Sequence, residues 1–218
     1  MLTIYGVHRS RAFRNLWMAE ELGIEYRQVP VIQAYRIKDP DAPDAPLNTS
    51  SPEFVAINPN GLIPCVDDEG QILWESLAIN LHLARKHGGP LAGNNLTEEA
   101  LMMMWSFWGA TSIESHTLKI QQTYGDKSNE TKAGQDLLAA LRRLLKAPFA
   151  VLEQALGNGH LVGNRFTVAD LNVAELVRYG LADATLMDAH PRISAWMKAA
   201  HERPAFIKHW AIRQAEPA

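Results

Sequence analysis

Ser10, the pair Glu75-Ser76 and the run Asn58-Pro59-Asn60-Gly61-Leu62-Ile63-Pro64 hold the groups best suited to chemistry. Ser10 is expected at the entrance of a helix. A hydroxyl there can donate to an anion held against the helix N-terminus, where free N–H groups and the macrodipole favour negative charge. It can equally serve as a plain cap. No base neighbours it and no Gly-x-Ser-x-Gly turn surrounds it, which excludes a hydrolase nucleophile. Glu75-Ser76 precedes a second expected helix, whose start again offers N–H groups to a carboxylate; the simpler reading is an N-cap. Pro64 falls at the entry of an expected strand, where a trans proline interrupts pairing. A cis Ile63–Pro64 bond costs only about 0.5–1 kcal/mol over trans. It would turn the N–H and C=O of Ile63 outward, as an edge on which an extended peptide can pair. The simpler reading there is a turn ahead of a strand.

Other reactive side chains point to less. Cys65 is the only cysteine. A lone thiol behind a strand-entry proline is most simply a small buried hydrophobe, and without a Cys-x-x-Cys pair dithiol redox chemistry is excluded. The eight histidines show no metal-ligand spacing such as His-Glu-x-x-His, so no metal is expected. Tyr5 is a second N-terminal hydroxyl, but it lies within an expected strand. Trp105, Phe107 and Trp108 share one helix and should be partly core.

These groups need elements to hold them. Leu2-Thr3-Ile4-Tyr5 is rich in strand formers and ends at Gly6. Ala12 to Leu22 carries an apolar stripe at helical spacing, closed by Gly23 as the C′ residue. Tyr26 to Ile32 reads as a second strand, so the unit is β-α-β with parallel strands. Residues 36–51 hold the run Asp39-Pro40-Asp41-Ala42-Pro43-Asp44-Ala45-Pro46, an exposed loop of unusual length. Ile63 to Asp67 and Gln71 to Trp74 form a hairpin around Asp68-Glu69-Gly70. A helix from Ser76 stops at His87-Gly88-Gly89-Pro90. Strand signals then fade. Helices are expected over Glu98–Lys119, Lys132–Leu156, Phe166–Leu181 and Arg192–His201. Thr167 should cap its helix in a box with Asp170, with Phe166 and Leu171 as a hydrophobic staple. The fold class is α/β followed by all-α, with domains at 1–88 and 96–218.

The composition agrees with two globular domains. The chain has 218 residues, 47% hydrophobic and 21% charged. A net charge of −3 and a sequence pI of about 6.2 give no nucleic-acid footprint. No apolar run approaches the roughly 20 residues of a membrane span. The N-terminus lacks a signal peptide's basic and apolar regions, and a reducing cytoplasm fits the cysteine usage.

The order of these motifs resembles the glutathione transferase family. The matching residues are Ser10 with Arg14, the run Leu16-Trp17-Met18-Ala19-Glu20-Glu21-Leu22-Gly23, Asn58 to Pro64, Glu75-Ser76-Leu77-Ala78-Ile79, and Phe166-Thr167-Val168-Ala169-Asp170. Together they cover nearly the whole chain. The resemblance implies an N-terminal thioredoxin-like domain that binds glutathione and a C-terminal helical bundle. It is similar to serine-type members such as the theta and delta classes and to bacterial ones. Ser10 would then donate to the glutathione sulfur and favour the thiolate. Ile63, before a cis Pro64, would pair with the cysteinyl part, and Glu75 and Ser76 would hold the γ-glutamyl end. Tyrosine-type classes use a first-strand tyrosine, and the spacing of Tyr5 to Arg14 fits that pattern less well. His8, Trp105 and Trp108 would line the pocket of the hydrophobic electrophile. Leu62 replaces a ligand-contacting lysine of many relatives, and Arg36 or Lys38 in the long loop could substitute. Glutathione is the implied co-substrate, with no metal. The implied setting is a cytoplasmic homodimer in detoxification, with no nucleic-acid or membrane partner. Met102, Met103, Met104 and Trp105 exceed what one helix face can hide. Alternatives are glutathione-dependent peroxide reduction or isomerisation at the same site, or a non-catalytic protein that kept the fold.

Overall fold

The structure, a computed structural model, describes residues 1–217. It opens with β1 (Leu2–Tyr5), α1 (Phe13–Leu22) and β2 (Tyr26–Val29). Gly23 ends α1 at φ 63°, with its N–H on Glu20 C=O and that of Ile24 on Ala19 C=O. This is the left-handed cap that glycine adopts without steric cost. A short helix, α2 (Pro52–Val55), precedes β3 (Cys65–Asp68), β4 (Gln71–Trp74) and α3 (Ser76–His87). The sheet order is β2-β1-β3-β4. β1 pairs parallel with β2, and the β1–β3 and β3–β4 pairs are antiparallel. A β-α-β unit followed by β-β-α is the expected thioredoxin-like arrangement.

The long loop is tied down from within. Ile32 bridges Asn48, and the buried Asn48 amide donates to Pro40 C=O and Pro46 C=O, both at 3.0 Å. Its Oδ1 accepts from the N–H and hydroxyl of Ser50. A prolyl chain with few N–H donors is thus folded around one side-chain amide.

The second unit spans Gly88–Arg203. It holds α4 (Leu96–Ser112), α5 (Glu114–Gly125), α6 (Lys132–Ala155), α7 (Val168–Val177), α8 (Ala184–Asp188) and α9 (Pro191–His201). The sequence suggested one helix over Glu98–Lys119; there are two, broken at Ile113 with φ −120° and ψ −54°. Thr111-Ser112-Ile113 at the joint are weak helix formers, two of them β-branched. Every residue of α7 is buried, so the other helices wrap it. Its start is the expected box: Asp170 Oδ2 accepts from the N–H and hydroxyl of Thr167 at 2.9 and 3.0 Å.

The last helix, α10 (Pro204–Ala215), groups with the first unit and not with the helical one. This differs from the expected second domain of 96–218. The cause is aromatic: Phe206 meets Trp17 and Phe13 edge-on at 5.0 and 5.5 Å, and Trp210 meets Phe13 at 5.7 Å. Each such pair adds about 0.5–1.5 kcal/mol beyond area burial.

Candidate active site

The loop from Gly6 to Ala12 joins β1 to α1. Gly6 has φ 138°, and a Cβ added there would lie 2.6 Å from Ala12 Cβ and 3.4 Å from Ile63 Cβ. The end of β1, the approach to α1 and the residue before Pro64 therefore meet too closely for any side chain at position 6. Ser10 stands ahead of the helix itself, which starts at Phe13 after the cap residue Ala12. Its hydroxyl donates to Val7 C=O at 2.7 Å and accepts from Ala12 N–H at 3.0 Å. Ser10 is therefore not the N-cap residue, and its hydroxyl spans the turn ahead of the helix, with its single hydrogen aimed at a backbone carbonyl.

Ile63–Pro64 is cis. The turn before it is built by buried Asn58, whose amide donates to Leu62 C=O at 2.8 Å and whose Oδ1 accepts from Asn60 N–H at 3.1 Å. Neither the N–H nor the C=O of Ile63 has a partner among the described residues. Leu62 is exposed and its apolar side chain brings no charge here.

Glu75 is a non-glycine residue at φ 70°, exposed, at the threshold of α3. A left-handed backbone there costs of order 1 kcal/mol, and such strain clusters at ligand-binding positions. Ser76 behind it is buried and fixed from α1. Arg14 Nη1 donates to Ser76 Oγ at 3.1 Å, and Asn15 Nδ2 donates to Ser76 C=O at 2.9 Å and to Asn80 Oδ1 at 2.7 Å. Asn80 Nδ2 returns a bond to Arg14 C=O at 3.3 Å. This buried polar network ties the start of α3, at Ser76 and Asn80, to the first turn of α1. Arg14, Asn15 and Asn80 were missed as site supports. The available signal was a charged residue and an amide inside the apolar stretch of α1.

The other expectations fare differently. His8 is buried, 3% exposed, with Nδ1 3.1 Å from Glu216 Oε1 and Nε2 3.0 Å from His209 Nδ1. Burial pulls its pKa down, and that of His209 to about 4. Tyr5 lies in the core, its ring 6.2 Å from Phe54 beside Val31 and Cys65. Burial, then Asp67, pushes the Cys65 thiol up to about 11, so it stays protonated and inert at neutral pH. Arg36 donates to Pro217 C=O at 3.0 Å and to the side-chain Oε1 of Gln33 at 3.2 Å, whereas Lys38 is exposed. Within the helical unit Trp105 is buried and meets the half-buried Trp108 edge-on at 5.0 Å. Met102 is buried too; Met103, Met104 and Phe107 are exposed. Among the described residues no three His, Cys, Asp or Glu gather as metal ligands.

A thioredoxin-like unit with an unpaired backbone edge before a cis proline is thus joined in one chain to an all-helical unit. The family model "Glutathione S-transferase, N-terminal domain" matches residues 1–85, and "Glutathione S-transferase, C-terminal domain" matches residues 101–204. Glutathione S-transferase F13 of Arabidopsis thaliana is 31% identical over 172 residues, 72% of this chain and 75% of that one. Glutathione S-transferase GstB of Escherichia coli K12 is 28% identical over 214 residues, 95% of this chain and 97% of that one. Among solved structures, glutathione S-transferase I from maize in complex with an atrazine glutathione conjugate superposes with a TM-score of 0.80. It is 26% identical, with 99% of each chain covered. The chain belongs to the glutathione S-transferase family, and its activity class is that of a transferase.

Proposed function

We propose that this protein binds glutathione in its first unit, stabilises the thiolate with Ser10, and directs it at a small hydrophobic electrophile. The observation that carries this reading is the free backbone edge of Ile63, held against Gly6 at the start of the Ser10 loop. That edge suits the cysteinyl part of glutathione, whose amide needs one donor and one acceptor. Glu75 then receives the α-ammonium of the γ-glutamyl end, and Ser76 with the first N–H groups of α3 receives its carboxylate. Lys38 is the loop cation with a free head for the glycyl end. The conjugate held by the maize relative is of the expected product class.

Ser10 must change partner to act. Its Oγ keeps the Ala12 N–H bond while the hydroxyl hydrogen swings from Val7 C=O to the sulfur. A neutral bond of about 0.5–1.5 kcal/mol is exchanged for one to a charged group of about 1.5–3 kcal/mol. The gain exists only when the sulfur is ionised, so it lowers the thiol pKa. The thiolate then forms a C–S bond at the electrophilic carbon, and the leaving group departs with its electron pair. Of the two tryptophans expected at the acceptor, Trp108 is the less buried. The setting is cytoplasmic detoxification, and the state a homodimer, a reading that the exposed Met103, Met104 and Phe107 on α4 favour.

The test is conjugation of a generic aromatic halide, run beside a glutathione-affinity column. Retention with turnover is expected. Retention without turnover of any halide or peroxide would contradict the catalytic reading, and failure to bind glutathione would contradict the site.

A further inference from the structure

The loop that carries Ser10 is gripped by a residue 208 positions away in the sequence. Glu216, just past α10, sets Oε1 2.9 Å from the His8 N–H and Oε2 2.8 Å from the Arg9 N–H. One carboxylate thus takes two successive backbone donors. The grip is reciprocal: the Arg9 guanidinium donates to Glu216 C=O at 2.8 Å, and Arg213 donates to His8 C=O. Oε1 also faces His8 Nδ1 at 3.1 Å, and the far side of that ring reaches His209 Nδ1 at 3.0 Å with the two rings stacked. His8 thus stands between a carboxylate and a second imidazole, whose far nitrogen, His209 Nε2, lies 3.6 Å from Glu20 Oε2. From the other side Gln28 donates to Gly6 C=O at 2.9 Å. Backbone groups of Gly6, His8 and Arg9 are therefore all held, and Ser10 follows immediately, its hydroxyl on Val7 C=O.

We propose that Glu216 is a positioning residue for the reaction: clamped on the His8 and Arg9 N–H groups, it fixes the loop from which Ser10 addresses the glutathione sulfur. The inference rests on the reading of Ser10 given above. Its physical basis is that a connecting loop with unfilled backbone donors samples several conformations, whereas charge-assisted bonds to adjacent N–H groups select one. A hydroxyl displaced by about 1 Å from its ligand loses most of its differential effect on the ionised sulfur. Glu216 touches neither sulfur nor electrophile, so its effect should appear in thiol ionisation and kcat, and leave glutathione affinity nearly alone.

The experiment compares Glu216→Ala, Glu216→Gln, Ser10→Ala and the double variant Ser10→Ala/Glu216→Ala in the full chain. Thermal melting is followed alongside the ultraviolet thiolate absorbance of bound glutathione against pH, glutathione Kd, and kcat with an aromatic halide. Glu216→Ala should lower kcat about tenfold and move thiolate formation to higher pH, with Kd within about twofold. Glu216→Gln keeps one oxygen for one N–H and should recover part of the loss, which a packing role would not require. The double variant should be no slower than Ser10→Ala, because both changes act through one hydroxyl. Ser10→Ala slow with Glu216→Ala at wild-type rate and thiol pKa would overturn the clamp and leave Ser10 standing. Additive losses in the double variant would place the action of Glu216 elsewhere and overturn the clamp as well. An unimpaired Ser10→Ala would remove the reading beneath it.

Discussion

Asp170 should be the most costly polar side chain to remove from the helical unit. Its carboxylate is wholly buried. Oδ2 accepts the Thr167 N–H at 2.9 Å and the Thr167 hydroxyl at 3.0 Å. Oδ1 accepts the Leu161 N–H at 3.1 Å and the Trp196 indole N–H at 3.0 Å. A lone N-cap is worth about 1 kcal/mol, but this residue also joins the loop before α7 to α9. Asp170→Ala strands the Thr167, Leu161 and Trp196 N–H groups, each costing about 1–3 kcal/mol when buried unpaired. Water entry and the relief of burying a charge reduce the sum, so a loss of about 3–5 kcal/mol is expected. Asp170→Asn keeps one oxygen but turns an NH2 toward donors, and should lose roughly half as much. The assay is urea unfolding, followed by tryptophan fluorescence and by hydrogen exchange of α7 amides. Glutathione affinity of the folded fraction should not change. A loss under 1 kcal/mol for Asp170→Ala would show that the carboxylate is an ordinary cap and refute its role as the junction of loop, α7 and α9.

Two further outcomes follow from the same accounting. Glu75→Ala should raise the glutathione dissociation constant about tenfold, the low end for a charged contact because Glu75 is exposed; Glu75→Gly should weaken binding equally while leaving the melting temperature unchanged, since the backbone there is at φ 70°. Stability should fall in acid: burial lowers His201 and His209 to about 4, so the unfolded chain binds more protons, and stability held above pH 6.5 is lost as pH drops toward 4. A urea midpoint that does not move between pH 7.5 and pH 5 would count against neutral histidines at both places.

Local signals were legible and remote ones were not. Gly23 as a left-handed cap, the hairpin of β3 and β4, the cis bond at Pro64 and the Thr167–Asp170 box each follow from a few adjacent residues. The break at Ile113 escaped because the apolar period runs straight through it. α10, which begins at Pro204, lay beyond the last expected helix, which ended at His201. The resemblance implied a pocket place for His8. Its partners Glu216 and His209 were not legible, because no spacing rule connects residue 8 to residues 209 and 216. The same holds for Arg14, whose burial depends on Ser76 across the unit.

The account turns on Ser10, and the pH dependence of conjugation in Ser10→Ala beside Tyr5→Phe tests it most directly. Loss of a donor to a charged sulfur costs about 1.5–3 kcal/mol, or roughly one to two powers of ten in rate. Ser10→Ala should lose that much at neutral pH and regain part of it in alkali, where glutathione ionises unaided. Tyr5→Phe, altering a ring packed on Phe54, should follow the wild type throughout. A Ser10→Ala profile superimposable on wild type, or a deficit carried by Tyr5→Phe instead, would contradict the assignment.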